Sequence, residues 1–144
     1  MPPGRHAHVA IGELAPGRIA EALDAFCAAE AVPPTIAWRL KVALDEIVAN
    51  VVAHGTPATG AGALDVWFRR QGALVEITVA DDGPPFNPLD RPGPDLELPL
   101  EAREPGGLGI ALVRSLMDDV VYQRDARNRL TIRKRIDEHP ADHP

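Results

Sequence analysis

The 144-residue sequence predicts an α+β fold, a two-layer sandwich in which a mixed, mostly antiparallel sheet is covered on one face by three helices. Two observations predict it. Three segments repeat apolar residues at the 3.6-residue period of a helix, and five short segments alternate apolar and polar residues as strands do. The segments follow the order β-α-α-β-β-loop-α-β-β, and amphipathic helices bury their apolar faces against such a sheet.

The first strand and the first helix are predicted near the N-terminus. Apolar residues alternate over residues 7–14, which predicts a strand that ends at Pro16 and Gly17. Residues 18–32 are rich in Ala, Leu and Glu and carry apolar residues at helical spacing, which predicts a helix. Because Pro33 cannot continue a helix, we expect the first helix to stop there.

The second helix is predicted over residues 34–54, and both of its ends are marked in the sequence. Pro34 suits a first helical turn, where no N–H donor is needed, and Gly55 suits the position after the last turn. Glu46, Asn50 and His54 lie at i, i+4 and i+8 along one edge of the apolar stripe. On this helix alone, a solvated rim with His54 at the terminal carbonyls is the simpler interpretation.

The remaining elements follow in two groups around a long loop. Residues 63–69 and 73–80 predict one hairpin, and residues 120–124 and 128–135 predict a second. Between the two hairpins, a helix is predicted from Gly106 to about Met117. The intervening residues 84–105 hold 7 of the 15 prolines, which predicts a loop that could act as a lid.

Composition restricts the class of protein. The net charge of −6 argues against non-specific binding to nucleic acid or to an anionic membrane, and no apolar stretch is long enough to cross a bilayer. The single cysteine, Cys27, lies on an apolar helical pattern and is typical of a buried thiol. We therefore expect one cytoplasmic domain over residues 1–135, followed by a disordered tail at 136–144.

A glycine-rich turn precedes the third helix at residues 106–109. Such a turn presents backbone N–H groups and the positive end of the helix dipole to an anion, commonly phosphate, although glycine pairs also serve as hinges. The sequence contains neither a G-x-x-x-x-G-K-[ST] motif nor a G-x-G-x-x-G motif, which argues against the P-loop and Rossmann modes of nucleotide binding.

Three segments together resemble the boxes of the GHKL ATPase superfamily, in its order and spacing. The match is closest to the bacterial anti-sigma-factor serine/threonine kinases of the RsbW type. The resemblance runs from about residue 9 to residue 134. Its boxes are LDEIVAN at 44–50, VADDGPPFNP at 79–88 and GGLGIAL at 106–112, and NRLTIRK at 128–134 closes the domain. The superfamily has a second glycine where this chain has Pro85.

The resemblance implies roles for single residues. Asn50 would help to hold Mg²⁺, and Glu46 would be the general base that deprotonates a serine or threonine hydroxyl. Asp81 would accept a hydrogen bond from the exocyclic amine of adenine, and Gly83 would let the backbone approach the ring. The remaining nucleotide-binding residues that the resemblance implies are Phe86, Gly106, Gly107, Leu108 and Gly109.

The resemblance also implies a function. We expect a kinase that uses Mg-ATP to phosphorylate a small antagonist protein and that sequesters a sigma factor or another regulatory protein, as a homodimer. Three alternatives stay open at this point. The chain could be a nucleotide-binding switch without phosphoryl transfer, an ATP-hydrolysing GHKL protein of another branch, or an α+β interaction module whose glycine turns are structural.

Overall fold

Five strands and three helices form two layers in the computed structural model, which describes residues 5–56, 60, 62–90 and 107–136. The elements in chain order are β1 (Arg5–Ala10), α1 (Ala15–Ala29), α2 (Pro34–His54), β2 (Ala63–Gln71), β3 (Leu74–Asp81), α3 (Gly107–Leu116), β4 (Asp119–Arg124) and β5 (Asn128–Arg135). A 3-10 turn, Pro88–Asp90, follows β3. The predicted α+β fold and its order of elements are confirmed.

The strands form one sheet in the order β1-β2-β3-β5-β4. All four pairings between the described strands are antiparallel, so the mixed pairing that the sequence allowed is not found among them. Because β5 lies between β3 and β4, those two strands run in the same direction without pairing. The chain reaches β4 from β3 by way of α3, which brings the start of α3 to the sheet end where β3 finishes.

The core lies between the inner face of the sheet and the helices. The apolar stripe of α2 is buried as predicted, and α2 contacts both α1 and α3. From the sheet, alternate residues of β2 and β3 point into the same core: Leu64, Val66, Phe68, Val75, Ile77 and Val79. No described helix has the length and apolar character that crossing a membrane requires.

The first helix begins earlier in the structure than the sequence pattern predicted. It starts at Ala15, with Pro16 in its first turn, so Pro16 and Gly17 open α1 and do not end β1. The reason is that a proline in the first turn removes an N–H that has no partner there. The boundaries of α2 and β5 agree with those predicted. The predicted tail lies almost entirely outside the described residues, so the domain limits stay a prediction.

The outer face of the sheet carries a hydrogen-bonded cluster around Asp65. This aspartate is 7% exposed, and its Oδ1 lies 2.7 Å from His6 Nε2 and 2.7 Å from His8 Nδ1. Its Oδ2 lies 2.8 Å from Arg127 Nη2. Burial by itself would raise the pKa of Asp65, but hydrogen bonds from His8, His6 and Arg127 outweigh burial and lower the pKa from 3.8 to about 2.

This shift predicts an acid-dependent stability. A carboxyl whose pKa falls on folding stabilises the fold at pH values above its unfolded pKa, and this contribution is lost as the pH falls towards the folded value. We expect Asp65→Asn to lower the unfolding free energy by on the order of 2 kcal/mol at pH 6. The loss should shrink between pH 4 and pH 2, as measured by urea unfolding at each pH. The matched control is Asp24→Asn, at an exposed site on α1. A loss that is constant with pH would contradict the prediction.

Candidate functional site

The C-terminal half of α2 and the sheet end where β3 finishes enclose a pocket. Its wall is mostly apolar, with two amides, a carboxylate, an imidazole and a phenol among the polar groups. The lining residues are Ile47, Asn50, Val51, His54, Gly55, Val79, Asp81, Phe86, Pro88, Tyr122, Asn128 and Leu130. An apolar pocket with a few convergent polar groups is the usual form of a small-molecule site.

The pocket is narrow in this conformation. The rings of His54 and Phe86 stack with their centroids 4.4 Å apart and their planes 21° apart. The pocket volume is about 30 Å³, which is room for about two water molecules. An aromatic base needs more room than the described residues leave here. The sequence predicted that His54 lies at the end of the helix, beside the terminal carbonyls. Its i+4 spacing from Asn50 was the signal that places it on the pocket side of α2.

Asp81 ends β3 inside the pocket with 6% exposure. Its Oδ1 accepts hydrogen bonds from the Gly83 N–H at 2.9 Å and from Asn128 Nδ2 at 3.0 Å. Among the described residues, both of these bonds reach Oδ1 and none reaches Oδ2. Asp81 and Gly83, which the sequence pattern selected, are thus held together by a direct hydrogen bond.

Two glycines allow the end of α2 to approach the loop after β3. A Cβ built on Gly83 would lie 2.3 Å from the carbonyl oxygen of Gly55 and 2.6 Å from its Cα. A Cβ built on Gly55 would in turn lie 2.7 Å from the carbonyl oxygen of Val51. Because these are backbone atoms, a side chain at Gly83 would push the loop and the helix end apart.

The loop after β3 is also held by the β4–β5 hairpin. Arg124 Nη1 donates to the Gly83 carbonyl at 3.0 Å, and Arg127 Nε donates to Asp82 Oδ1 at 2.6 Å. The guanidinium of Arg127 also contacts Asp65, so it bonds both to the loop and to the Asp65 cluster on the outer face of the sheet. The loop that follows Asp81 is therefore fixed on both sides.

Glu46 lies against the start of α3. A Cβ built on Gly109 would lie 2.3 Å from Glu46 Oε2, so the carboxylate touches the backbone of the first turn of α3. Asn50, one turn further along α2, lines the pocket. The structure therefore brings the acid of the first box to the glycine turn of the third. Gly107 and Leu108 begin α3, and Gly106 lies outside the described residues.

The acidic side chains do not by themselves form a metal centre. Within the described residues, no group of three His, Cys, Asp or Glu side chains could hold a metal ion. Mg²⁺ takes few protein ligands when it binds with a nucleotide, and phosphate and water oxygens complete its shell. One amide oxygen, such as that of Asn50, fits that mode of binding.

Comparison with known proteins agrees with this geometry. Residues 13–134 match the family described as the histidine kinase-like ATPase domain. The chain is 31% identical over 96 residues to the serine/threonine-protein kinase BtrW of Bordetella bronchiseptica, covering 66% of this chain and 68% of BtrW. It is 32% identical over 108 residues to the serine-protein kinase RsbW of Oceanobacillus iheyensis, covering 72% and 68% of the two chains.

A solved structure has the same fold. The crystal structure of the RsbU and RsbW domains of a Mycobacterium tuberculosis protein superposes with a TM-score of 0.69 at 18% identity. The match covers 94% of this chain and 33% of that one, so the chain spans about a third of the length of the larger protein. At this identity the likeness concerns the fold alone.

Proposed function

The chain belongs to the histidine kinase-like ATPase family, as a serine/threonine-protein kinase of the RsbW type, and we propose that it transfers phosphate from Mg-ATP to a small antagonist protein. The observation that carries the proposal is the contact between Glu46 and Gly109. That contact sets a carboxylate beside a helix N-terminus, where phosphate would bind, and one helical turn from an amide suited to Mg²⁺.

The pocket supplies the site for adenine in this proposal. Asp81 Oδ2 accepts a hydrogen bond from the exocyclic amine, and Gly83, whose side-chain direction is filled by the backbone of Gly55, holds the other carboxylate oxygen through its N–H. Phe86 moves off His54 to admit the base. The backbone N–H groups of Gly107 and Gly109, in the first turn of α3, bind the phosphates. Leu108 belongs to the same turn, and we propose that Gly106 extends it.

Phosphoryl transfer requires the protein mainly to position the reacting groups and to stabilise the charge that develops. Asn50 offers its side-chain oxygen to Mg²⁺, which would neutralise phosphate charge during transfer. Glu46 accepts the proton of a serine or threonine hydroxyl as that oxygen attacks the γ-phosphorus. The bond from the γ-phosphorus to the bridging oxygen breaks, ADP leaves, and the new phosphate ester stays on the antagonist. The proton remains on Glu46 until it is released to solvent.

The proposed partners follow from the same family membership. Named relatives are serine-protein kinases, and kinases of this type act in partner switching. We propose that the unphosphorylated antagonist competes with a sigma factor or another regulatory protein for this chain, and that the chain acts as a homodimer. The second candidate function is a nucleotide-binding switch without phosphoryl transfer, which the apolar pocket and Asp81 support equally well.

The first test is calorimetric titration with ATP, with and without Mg²⁺. We expect binding that strengthens with Mg²⁺, and we expect Asn50→Ala to remove most of that gain, at least about tenfold in affinity, because a charge-assisted contact contributes about 1.5–3 kcal/mol. The matched control is Gln123→Ala, which removes an exposed amide on β4. Absence of ATP binding by the unaltered protein would overturn the proposal. An unchanged Mg²⁺ effect in Asn50→Ala would overturn the role of Asn50.

A further inference from the structure

Asn128, the first residue of β5, makes five hydrogen bonds from a side chain at the pocket wall, the longest of them from Nδ2 to the Gly83 carbonyl at 3.5 Å. The residue is 5% exposed. Its Nδ2 donates to the Pro84 carbonyl at 2.8 Å and to Asp81 Oδ1 at 3.0 Å. Its Oδ1 accepts from the Tyr122 hydroxyl at 2.5 Å and from the Phe86 N–H at 3.2 Å. An amide has two donor and two acceptor positions, so all of them are used.

These partners fix the direction of the amide. The nitrogen end faces a carboxylate and a carbonyl, which only accept, and the oxygen end faces the Phe86 N–H, which only donates. A flipped amide would oppose acceptor to acceptor at Asp81. Asn128 therefore acts on Asp81 as a donor, and it holds the loop at Pro84 and Phe86 at the same time. No motif that the sequence analysis singled out assigns it this role.

The donor end of Asn128 helps to fix the orientation in which the Asp81 carboxylate meets a ligand. Asn128 Nδ2 and the Gly83 N–H both donate to Oδ1, and they prevent the carboxylate from rotating. Neither bond reaches Oδ2, and a carboxylate oxygen accepts hydrogen bonds and repels other acceptors. A purine with an amine at position 6 donates to such an oxygen, whereas a purine with a carbonyl there presents an acceptor.

We propose that Asn128 is a positioning residue that sets the selectivity of the pocket for 6-amino over 6-oxo purines. It acts through Asp81 and does not touch the base. The inference rests on the proposed ATP site. Without the amide, Asp81 loses one of its two anchors and the loop at Pro84 and Phe86 loses its buried partner. The Asp81 side chain is then free to leave its present rotamer, so neither of its two equivalent oxygens is held where the exocyclic amine of the base would lie, and discrimination between the two classes of purine falls.

The test compares the affinities for ATP and for inosine triphosphate, which carries a carbonyl in place of the amine. A hydrogen bond to a charged group contributes about 1.5–3 kcal/mol, so we expect the unaltered protein to favour ATP by roughly 10- to 100-fold. We expect Asn128→Ala to reduce this ratio to within about threefold. Asn128→Asp, which keeps the size of the side chain and places an acceptor against Asp81, should reduce the ratio further.

A control on the same strand separates selectivity from stability. Thr131→Val removes the 3.0 Å hydrogen bond to Thr78 on the outer face of the sheet, away from the pocket, and should leave the ratio unchanged. A purely structural effect of a substitution would weaken the binding of both nucleotides equally and would not change the ratio of their affinities. A ratio that stays at its original value in both Asn128 variants, with ATP still bound, would overturn this inference alone.

Two further outcomes have a defined meaning. If the unaltered protein binds neither nucleotide, the proposed function itself fails. If the Asn128 variants do not fold, the side-chain NH₂ protons of Asn128 are measured by NMR in the unaltered protein with ATP or inosine triphosphate bound. Slow exchange with solvent in the ATP complex together with faster exchange in the inosine triphosphate complex supports the inference, since the bond from Asn128 to Asp81 then depends on the group at position 6 of the purine. Equal exchange rates in the two complexes would overturn it.

Discussion

Glu46→Gln is expected to lower the rate of phosphoryl transfer by about 10²- to 10⁴-fold, the usual contribution of a general base. ATP affinity should change by less than about threefold, because the glutamine keeps the size of the side chain and its contact with Gly109. The physical reason is that a neutral amide cannot take the proton of the attacking hydroxyl. Single-turnover transfer of labelled phosphate to the antagonist, together with calorimetry for ATP, measures both quantities.

The neighbouring acid provides the control for this variant. Asp45 is exposed and lies on the adjacent position of α2, so Asp45→Asn makes the same change of charge on the same helix. It should leave the rate of transfer within about twofold, since surface charges at this distance are screened by solvent. Normal transfer by Glu46→Gln would refute the role of Glu46. No transfer by the unaltered protein to any antagonist, despite tight ATP binding, would favour the switch over the kinase.

Gly83→Ala is expected to damage both the fold and the nucleotide site. The new methyl group would lie 2.3–2.6 Å from three backbone atoms of Gly55, none of which can move without shifting the end of α2 or the loop. Overpacking of this kind costs about 1–3 kcal/mol in unfolding free energy. Displacement of the loop also breaks the bond between Gly83 and Asp81, so ATP affinity should fall by at least roughly 100-fold.

Gly17→Ala controls for the addition of a methyl group at a glycine. A Cβ at Gly17 meets nothing within 4 Å, and the residue lies in helix α1. This variant should unfold at the same or a higher denaturant concentration, because alanine favours a helix by about 0.5–1 kcal/mol over glycine. Thermal or urea unfolding and ATP titration compare the two variants. Wild-type stability in Gly83→Ala would show that the close approach to Gly55 is not maintained in solution.

The contact between Glu46 and Gly109 connects these two predictions. A methyl group at Gly109 would meet the end of the Glu46 side chain, which is flexible, and would displace the carboxylate without unfolding the domain. The three atoms nearest to a Cβ built on Gly83, in contrast, are all backbone atoms of Gly55. Gly109 therefore leaves room for the Glu46 carboxylate, and Gly83 leaves room for the backbone at the end of α2.

Local periodicity was sufficient to predict most elements of this protein. The limits of α2 were predictable because Pro34 and Gly55 mark helix ends through the conformations that they favour, and the strand β5 was predictable from its alternation. Pro16 was misleading because a proline can end a strand as well as open a helix. Propensity alone does not separate these two roles.

The candidate site was predictable where its residues belong to one short segment. Glu46 and Asn50 share a helix edge because of the helical repeat, and Asp81 and Gly83 share a turn. The sequence alone thus identified short segments that the structure brings to the candidate site. The tertiary structure decided that Asn128 bonds to Asp81 across 47 positions and that His54 stacks on Phe86. Such pairs depend on strand order and on the angle between helix and sheet, which arise from the packing of the whole core and from no single segment.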